Sequence, residues 1–236
     1  MHCSQMRGVV WLPLLCVACG PLRHLGYDTS TVTAEKGPTL NAAVTVERFE
    51  DKRQANEPAI VFTAEDDPVT MGKQQVCFNI ERVYATNVPD ELRGIIERHL
   101  RQRAVIGAWN AEAEKYQLRG SLITLLGQQA PPPLSTGQVL GIAGLAAENA
   151  TTARPGEIDI VLRDLSLIRT RDGATRPLPD VQIHFKGDVT GVAFGDMDNE
   201  GRCQPIFAEV DAQLKQAVTT LASSVEQTIR AWSSAP

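Results

Sequence analysis

Apolar residues return at every third or fourth position along the last part of the chain, which is the spacing of one face of an α-helix. This stripe consists of Phe207, Val210, Leu214, Val218, Leu221, Val225 and Ile229. A shorter stripe within VPDELRGIIERHLRQR (residues 88–103) consists of Leu92, Ile95, Ile96, His99 and Leu100. That segment begins with acidic residues and ends with basic ones, as the helix dipole favours. The pattern therefore predicts a short helix in the middle of the chain and a long amphipathic helix at its C-terminal end.

Four other segments alternate between apolar and polar residues, which is typical of half-buried β-strands. They are AAVTVERFEDKR (42–53), YQLRGSLITLL (116–126), EIDIVLRDLSLIRT (157–170) and VQIHFKGDVTGVAFG (181–195). Asp172 and Gly173 lie between the last two segments and predict the turn of a hairpin. This order of elements predicts an α+β fold, in which a mainly antiparallel sheet has two helices packed on one face.

Residues 39–236 are expected to form a single domain with an insertion near residues 127–153. Three consecutive prolines, Pro131 to Pro133, forbid regular structure there. An apolar patch follows them and contains Val139, Leu140, Ile142 and Leu145. Two interpretations of this patch remain open: a core helix or buried loop, and a contact patch for a partner or a membrane, since insertions commonly carry the specificity of a scaffold.

The first residues of the chain have the features of an export signal. A short start with one positive charge, Arg7, precedes an apolar run over residues 8–18 that only Pro13 interrupts. An apolar run of about ten residues suits a signal peptide, whereas a membrane span needs about twenty.

The end of this run, VACG (17–20), resembles the lipobox of bacterial lipoproteins, in which the cysteine receives a lipid and becomes the new amino terminus. The resemblance implies that residues 1–18 are a lipoprotein signal peptide, that Cys19 is lipidated and that residues 19–38 form a tether. Cys16 stands where the lipobox prefers leucine. The alternatives are an ordinary signal peptide cut nearby, and a redox or metal-binding CxxC pair.

The charge of the mature chain excludes one class of partner. Removing residues 1–18 takes away Arg7 and changes the formal net charge from −5 to −6. A mildly acidic chain without a basic stripe argues against binding of nucleic acid. No second apolar run approaches the length of a membrane span, so we expect the N-terminal lipid to be the attachment to the bacterial membrane.

Motifs for phosphate, nucleophile or zinc chemistry do not occur in the sequence. The histidines that remain after processing, His24, His99 and His184, are far apart and show no ligand spacing. His99 lies on the inner stripe of its helix, which predicts a hydrogen-bonded, semi-buried histidine rather than a base or a metal ligand. We therefore expect no catalytic residue, no cofactor and no enzymatic activity.

The string DMDNEG (196–201) is the most metal-like part of the sequence. Asp196, Asp198 and Glu200 alternate and a glycine follows them, as in the first half of a calcium loop. The twelfth position is Phe207, whereas an EF-hand loop closes with a bidentate glutamate. The other interpretation is an acidic turn before the last helix, where carboxylates complement the helix dipole, and we expect this turn and no metal.

Cys77 and Cys203 are the two cysteines left in the body of the protein. An oxidising periplasm favours a disulfide between them, and the alternative is a pair of buried, reduced thiols.

The element order, the lipobox ahead of it and the strand VTVERFEDKR (44–53) resemble the YajG-like uncharacterised lipoproteins of Gram-negative bacteria over residues 39–232. This resemblance implies an envelope lipoprotein without catalytic residues, and Gly20 after the lipidated cysteine implies an outer-membrane, periplasm-facing location. We expect a non-catalytic periplasmic accessory or interaction lipoprotein with a protein partner in the envelope. The alternatives are a lipid- or lipopolysaccharide-handling transport auxiliary and an unrecognised hydrolase.

Overall fold

The computed structural model describes residues 25, 27, 30, 40–53, 60–62, 88–103, 113–129, 154–189 and 199–233, with the backbone alone at 60–62, 129, 154 and 199–205. The elements within these residues are β1 (Ala42–Val46), β2 (Glu50–Asp51), β3 (Ile60–Phe62), α1 (Val88–Gln102), β4 (Glu114–Gln129), β5 (Arg154–Arg169), β6 (Thr175–Pro177), β7 (Val181–Val189) and α2 (Asn199–Ser233).

These strands form one sheet around the long antiparallel pair of β4 and β5. β1, β2 and β3 follow one another along the edge of β4 that is opposite β5, and all three run parallel to β4. β6 and β7 follow one another along the other edge of β5 and run antiparallel to it. The sheet is therefore mixed but mainly antiparallel, and together with the two helices it confirms the predicted α+β class.

Both helices lie on the same face of the sheet. α2 packs across β4, β5 and β7, and α1 packs against β1 and α2. The predicted inner stripes of both helices are buried, so the two helices and the faces that they bury are confirmed. Alternate residues of the central strands, among them Leu118, Ile158 and Ile160, are fully buried beneath the helices. Neither described helix is both long enough and apolar enough to cross a membrane.

A bulge interrupts the pairing of β4 with β5 near its middle, where the register shifts between Arg119 and Ser121. β5 accommodates the extra residue with Asp164 at φ 54°, in the left-handed region that aspartate tolerates better than most residues. The Asp164 carboxylate accepts hydrogen bonds from Lys52 Nζ at 2.8 Å and from Ser121 Oγ at 3.1 Å. Ser121 of β4 and Lys52, which follows β2, therefore hold the bulge in place.

The predicted second arm of the hairpin begins with β7, and the segment predicted to connect the two arms contains a further short strand, β6. The turn itself forms as predicted, with Gly173 at φ 71°. Leu178, which lies between β6 and β7, donates its backbone N–H to the carbonyl of Leu165 at 2.8 Å. Leu178 thus lies beside the bulge in β5, and β6 and β7 keep the same register with β5 on either side of it.

Arg103 lies just beyond α1 and is buried, although the sequence suggested only a basic residue at the helix end. Its Nε lies 2.7 Å from Glu226 Oε1 of α2, and both side chains are almost fully buried, at 4% and 6% exposure. Its Nη1 also donates to Ser223 Oγ at 3.3 Å. This ion pair joins the end of α1 to α2.

Candidate functional site

Leu25 belongs to the segment expected to be a tether, and yet it packs on the body of the protein. Its side chain is 3% exposed and forms part of the hydrophobic core. Its backbone N–H donates to Glu91 Oε2 at 2.5 Å, in the first turn of α1. The N-terminal segment is therefore fixed to α1 six residues after Cys19.

Tyr27 makes a second connection to α1. Its hydroxyl is 2.7 Å from His99 Nδ1, and the two rings meet edge to face with centroids 6.1 Å apart. Burial, assisted by the positive charges of Arg103 and Lys215, lowers the pKa of His99 to about 4. Burial also raises the pKa of Tyr27, so both side chains are neutral near pH 7. His99 is thus the buried, hydrogen-bonded histidine that the sequence predicted.

We call these residues the N-terminal attachment site: Leu25, Tyr27, Glu91 and His99. The arrangement suits binding of a chain segment, since it combines a buried apolar side chain, a backbone hydrogen bond and a neutral side-chain hydrogen bond. Sequence reasoning identified His99 but missed Leu25 and Tyr27. The available signal was weak: an apolar and an aromatic residue, two positions apart, in a segment without periodicity.

A shallow groove lies at the end of the sheet beside the turn between β5 and β6. It is lined by Asn41, Ala113, Glu114, Lys115, Thr170 and Arg171. Glu114 Oε1 lies 3.1 Å from Arg171 Nε, and its Oε2 accepts a hydrogen bond from Tyr116 at 2.6 Å. The Tyr116 ring stacks on Trp232 at the end of α2, with centroids 5.5 Å apart. These charges and rings therefore contact one another at this end of the sheet.

Most residues that the sequence suggested for a site lie outside the described part of the chain. They are Cys19, Cys77, Asp196, Asp198 and the contact patch Val139, Leu140, Ile142 and Leu145. Glu200 and Cys203 lie in the first turns of α2, where the backbone alone is described. The lipidation, the disulfide, the contact patch and the choice between turn and calcium loop therefore stay predictions.

Two solved structures are similar to this chain. The crystal structure of protein XCC0632 from Xanthomonas campestris, of the family DUF330, has 12% sequence identity and a TM-score of 0.46, and the match covers 89% of this chain and 95% of that chain. The crystal structure of an uncharacterized protein has 11% identity and a TM-score of 0.38, with 80% and 94% covered. No family model matches the chain, and no curated protein matches its sequence.

Proposed function

We propose that this protein is a lipid-anchored, non-catalytic accessory protein of the bacterial envelope, which faces the periplasm from the outer membrane and acts through contact with a protein partner. The N-terminal attachment site is the observation that carries this proposal. It fixes Leu25 to α1, six residues after Cys19. Cys19 is the residue whose lipid would enter the membrane.

The attachment site limits how far the body can move from the membrane. Six residues span at most about 22 Å when fully extended, at about 3.6 Å per residue. With Cys19 lipidated, the first turn of α1 stays within this distance of the bilayer surface. A free tether of residues 19–38 would allow a much longer reach. The body is therefore positioned at the membrane, as an accessory of a membrane-bound complex requires.

The test of the anchor compares two cysteine substitutions in the signal region. Cys19→Ser removes the acceptor thiol, and we expect loss of labelled palmitate and accumulation of the unprocessed precursor. Cys3→Ser, within the same peptide, is the matched control and should leave labelling and processing unchanged. Mature protein of normal size in the Cys19→Ser variant, released from membranes without detergent, would contradict the proposal.

The test of the contact function concerns the apolar patch after the three prolines. Replacing Leu140 and Leu145 by Ser should weaken capture of the envelope partner after crosslinking in intact cells, while the thermal midpoint stays nearly unchanged. If the double variant instead loses stability sharply, these side chains belong to the core and the patch is not a contact surface.

A further inference from the structure

Three side chains with metal-binding atoms lie together on the outer face of the sheet, which is the face opposite the helices. Glu157 and Asp159 alternate in β5 with residues that are buried beneath the helices, such as Ile158 at 0% exposure. His184 lies in β7 and is the register partner of Asp159. Since successive residues of a strand point to opposite faces, all three side chains project from the outer face.

The geometry of this cluster is compact. His184 Nδ1 lies 2.7 Å from Asp159 Oδ1, and its Nε2 lies 3.8 Å from Glu157 Oε1. One candidate ligand atom from each residue lies within 4.8 Å of the other two. The side chains are 39% (Glu157), 28% (Asp159) and 52% (His184) exposed, so they can rotate and are open to ions from solvent.

We propose that Glu157, Asp159 and His184 form a binding site for a divalent transition-metal ion of the Zn²⁺ type. Imidazole nitrogen and carboxylate oxygen are ligands that zinc uses, at about 2.0–2.2 Å. Donor atoms within 4.8 Å of one another need only small side-chain rotations to surround one ion. Three protein ligands leave the fourth tetrahedral position to water, which the outer face supplies.

The pairing of the strands explains why the cluster is preorganised. Asp159 and His184 are 25 positions apart in sequence, and the antiparallel register of β5 and β7 places them opposite each other. An ion here would connect β5 to β7, which pairs with no strand other than β5 among the described residues.

The test uses the full-length protein in detergent, after chelator treatment, with Zn²⁺ alone as the titrant in a calorimeter. We expect saturable binding whose affinity falls at least about tenfold in His184→Ala and in Glu157→Gln. Lys186→Gln is the matched control, because Lys186 is exposed and is the register partner of Glu157. This variant should bind zinc at least as tightly as the wild type.

A second readout distinguishes zinc binding at this site from zinc binding at cysteines or at other histidines of the chain. Zinc should raise the thermal midpoint of the wild type and of Lys186→Gln, and should raise it less in His184→Ala, because an ion that binds the folded sheet stabilises it. Absence of saturable binding in the wild type, or equal affinity in the wild type and His184→Ala, would overturn the proposal.

Discussion

The buried imidazole of His99 makes the stability of this fold depend on pH. Its pKa is about 4 in the folded protein against an ordinary value of 6.5, so between these values the unfolded chain binds a proton that the folded chain does not. Stability rises with pH wherever the unfolded state binds more protons. The contribution is complete above about pH 6.5 and is lost as the pH falls towards 4.

We therefore expect His99→Gln to flatten the pH dependence of stability. Between pH 7 and pH 4.5 the wild type should lose about 2 to 3 kcal/mol more unfolding free energy than the variant, whatever the absolute stability of the variant. Urea unfolding of both proteins at the two pH values measures this difference. Identical losses in the two proteins would show that His99 does not cause the dependence.

Gly120 shows how closely the bulge region is packed. A Cβ at this position would lie 2.5 Å from Leu165 Cδ2 and 2.7 Å from Phe49 Cε1, and both of these side chains are buried. Gly120→Ala should therefore lower the unfolding free energy by about 1 to 3 kcal/mol. Gly94→Ala in α1 is the matched control, since its Cβ would meet only the side-chain end of Arg98, with Nη1 at 3.4 Å.

The control substitution should stabilise the protein by about 0.5 to 1 kcal/mol, because alanine is the better helix residue. Urea denaturation of both variants measures the two effects. Equal stability of Gly120→Ala and the wild type would mean that the strand shifts to make room.

At the scale of elements, the Arg103–Glu226 ion pair determines how α1 and α2 are joined. Replacing Arg103 by Met leaves the Glu226 carboxylate buried without its cation, and should cost about 3 to 5 kcal/mol. The double variant Arg103→Met with Glu226→Leu should recover most of that loss, because two apolar side chains need no ionic partner. Urea unfolding of the single and double variants gives the coupling energy.

The exposed pair of Arg101 and Glu97 is the matched control. Its atoms are 3.7 Å apart, and the Arg101 side chain is 56% exposed. Arg101→Met should therefore change stability by less than about 1 kcal/mol. If the losses caused by Arg103→Met and by Glu226→Leu simply add in the double variant, the buried pair contributes no coupling energy between the helices.

The elements also show where sequence reasoning succeeds. Both helices could be predicted, because a stripe such as that of Leu92, Ile95 and Ile96 is local and helical periodicity is strong. The parallel pairing of β1 with β4 could not, since it depends on contacts between segments far apart in the chain. The ionic role of Arg103 was missed for the same reason, because its partner lies 123 positions later.

At the scale of the whole molecule, the core extends into a segment that composition alone assigns to a tether. Leu25 lies 66 positions from Glu91, and Tyr27 lies 72 positions from His99. Neither residue belongs to a periodic pattern, so their burial becomes visible only in three dimensions. The candidate zinc ligands were missed for a related reason: their spacing is set by strand register, and no short motif contains it.

Truncation tests whether the N-terminal attachment site is part of the folded body. A chain that begins at Arg23 keeps the site and should have the thermal midpoint of the mature protein. A chain that begins at Asp28 lacks Leu25 and Tyr27, and should lose roughly 3 kcal/mol or more, from one buried leucine and two hydrogen bonds. For a protein of this size, the midpoint should fall by roughly 10 °C.

Two point variants in the chain that begins at Arg23 divide this loss between its sources. Leu25→Ala removes most of the buried apolar side chain and should cost about 2 to 4 kcal/mol. Tyr27→Phe removes only the hydroxyl that pairs with His99 Nδ1, and should cost about 1 kcal/mol. Equal midpoints for the chains that begin at Arg23 and Asp28 would mean that the attachment is too weak to hold the body at the membrane. The lipid would then act through a long flexible tether, and the short reach proposed for this protein would be wrong.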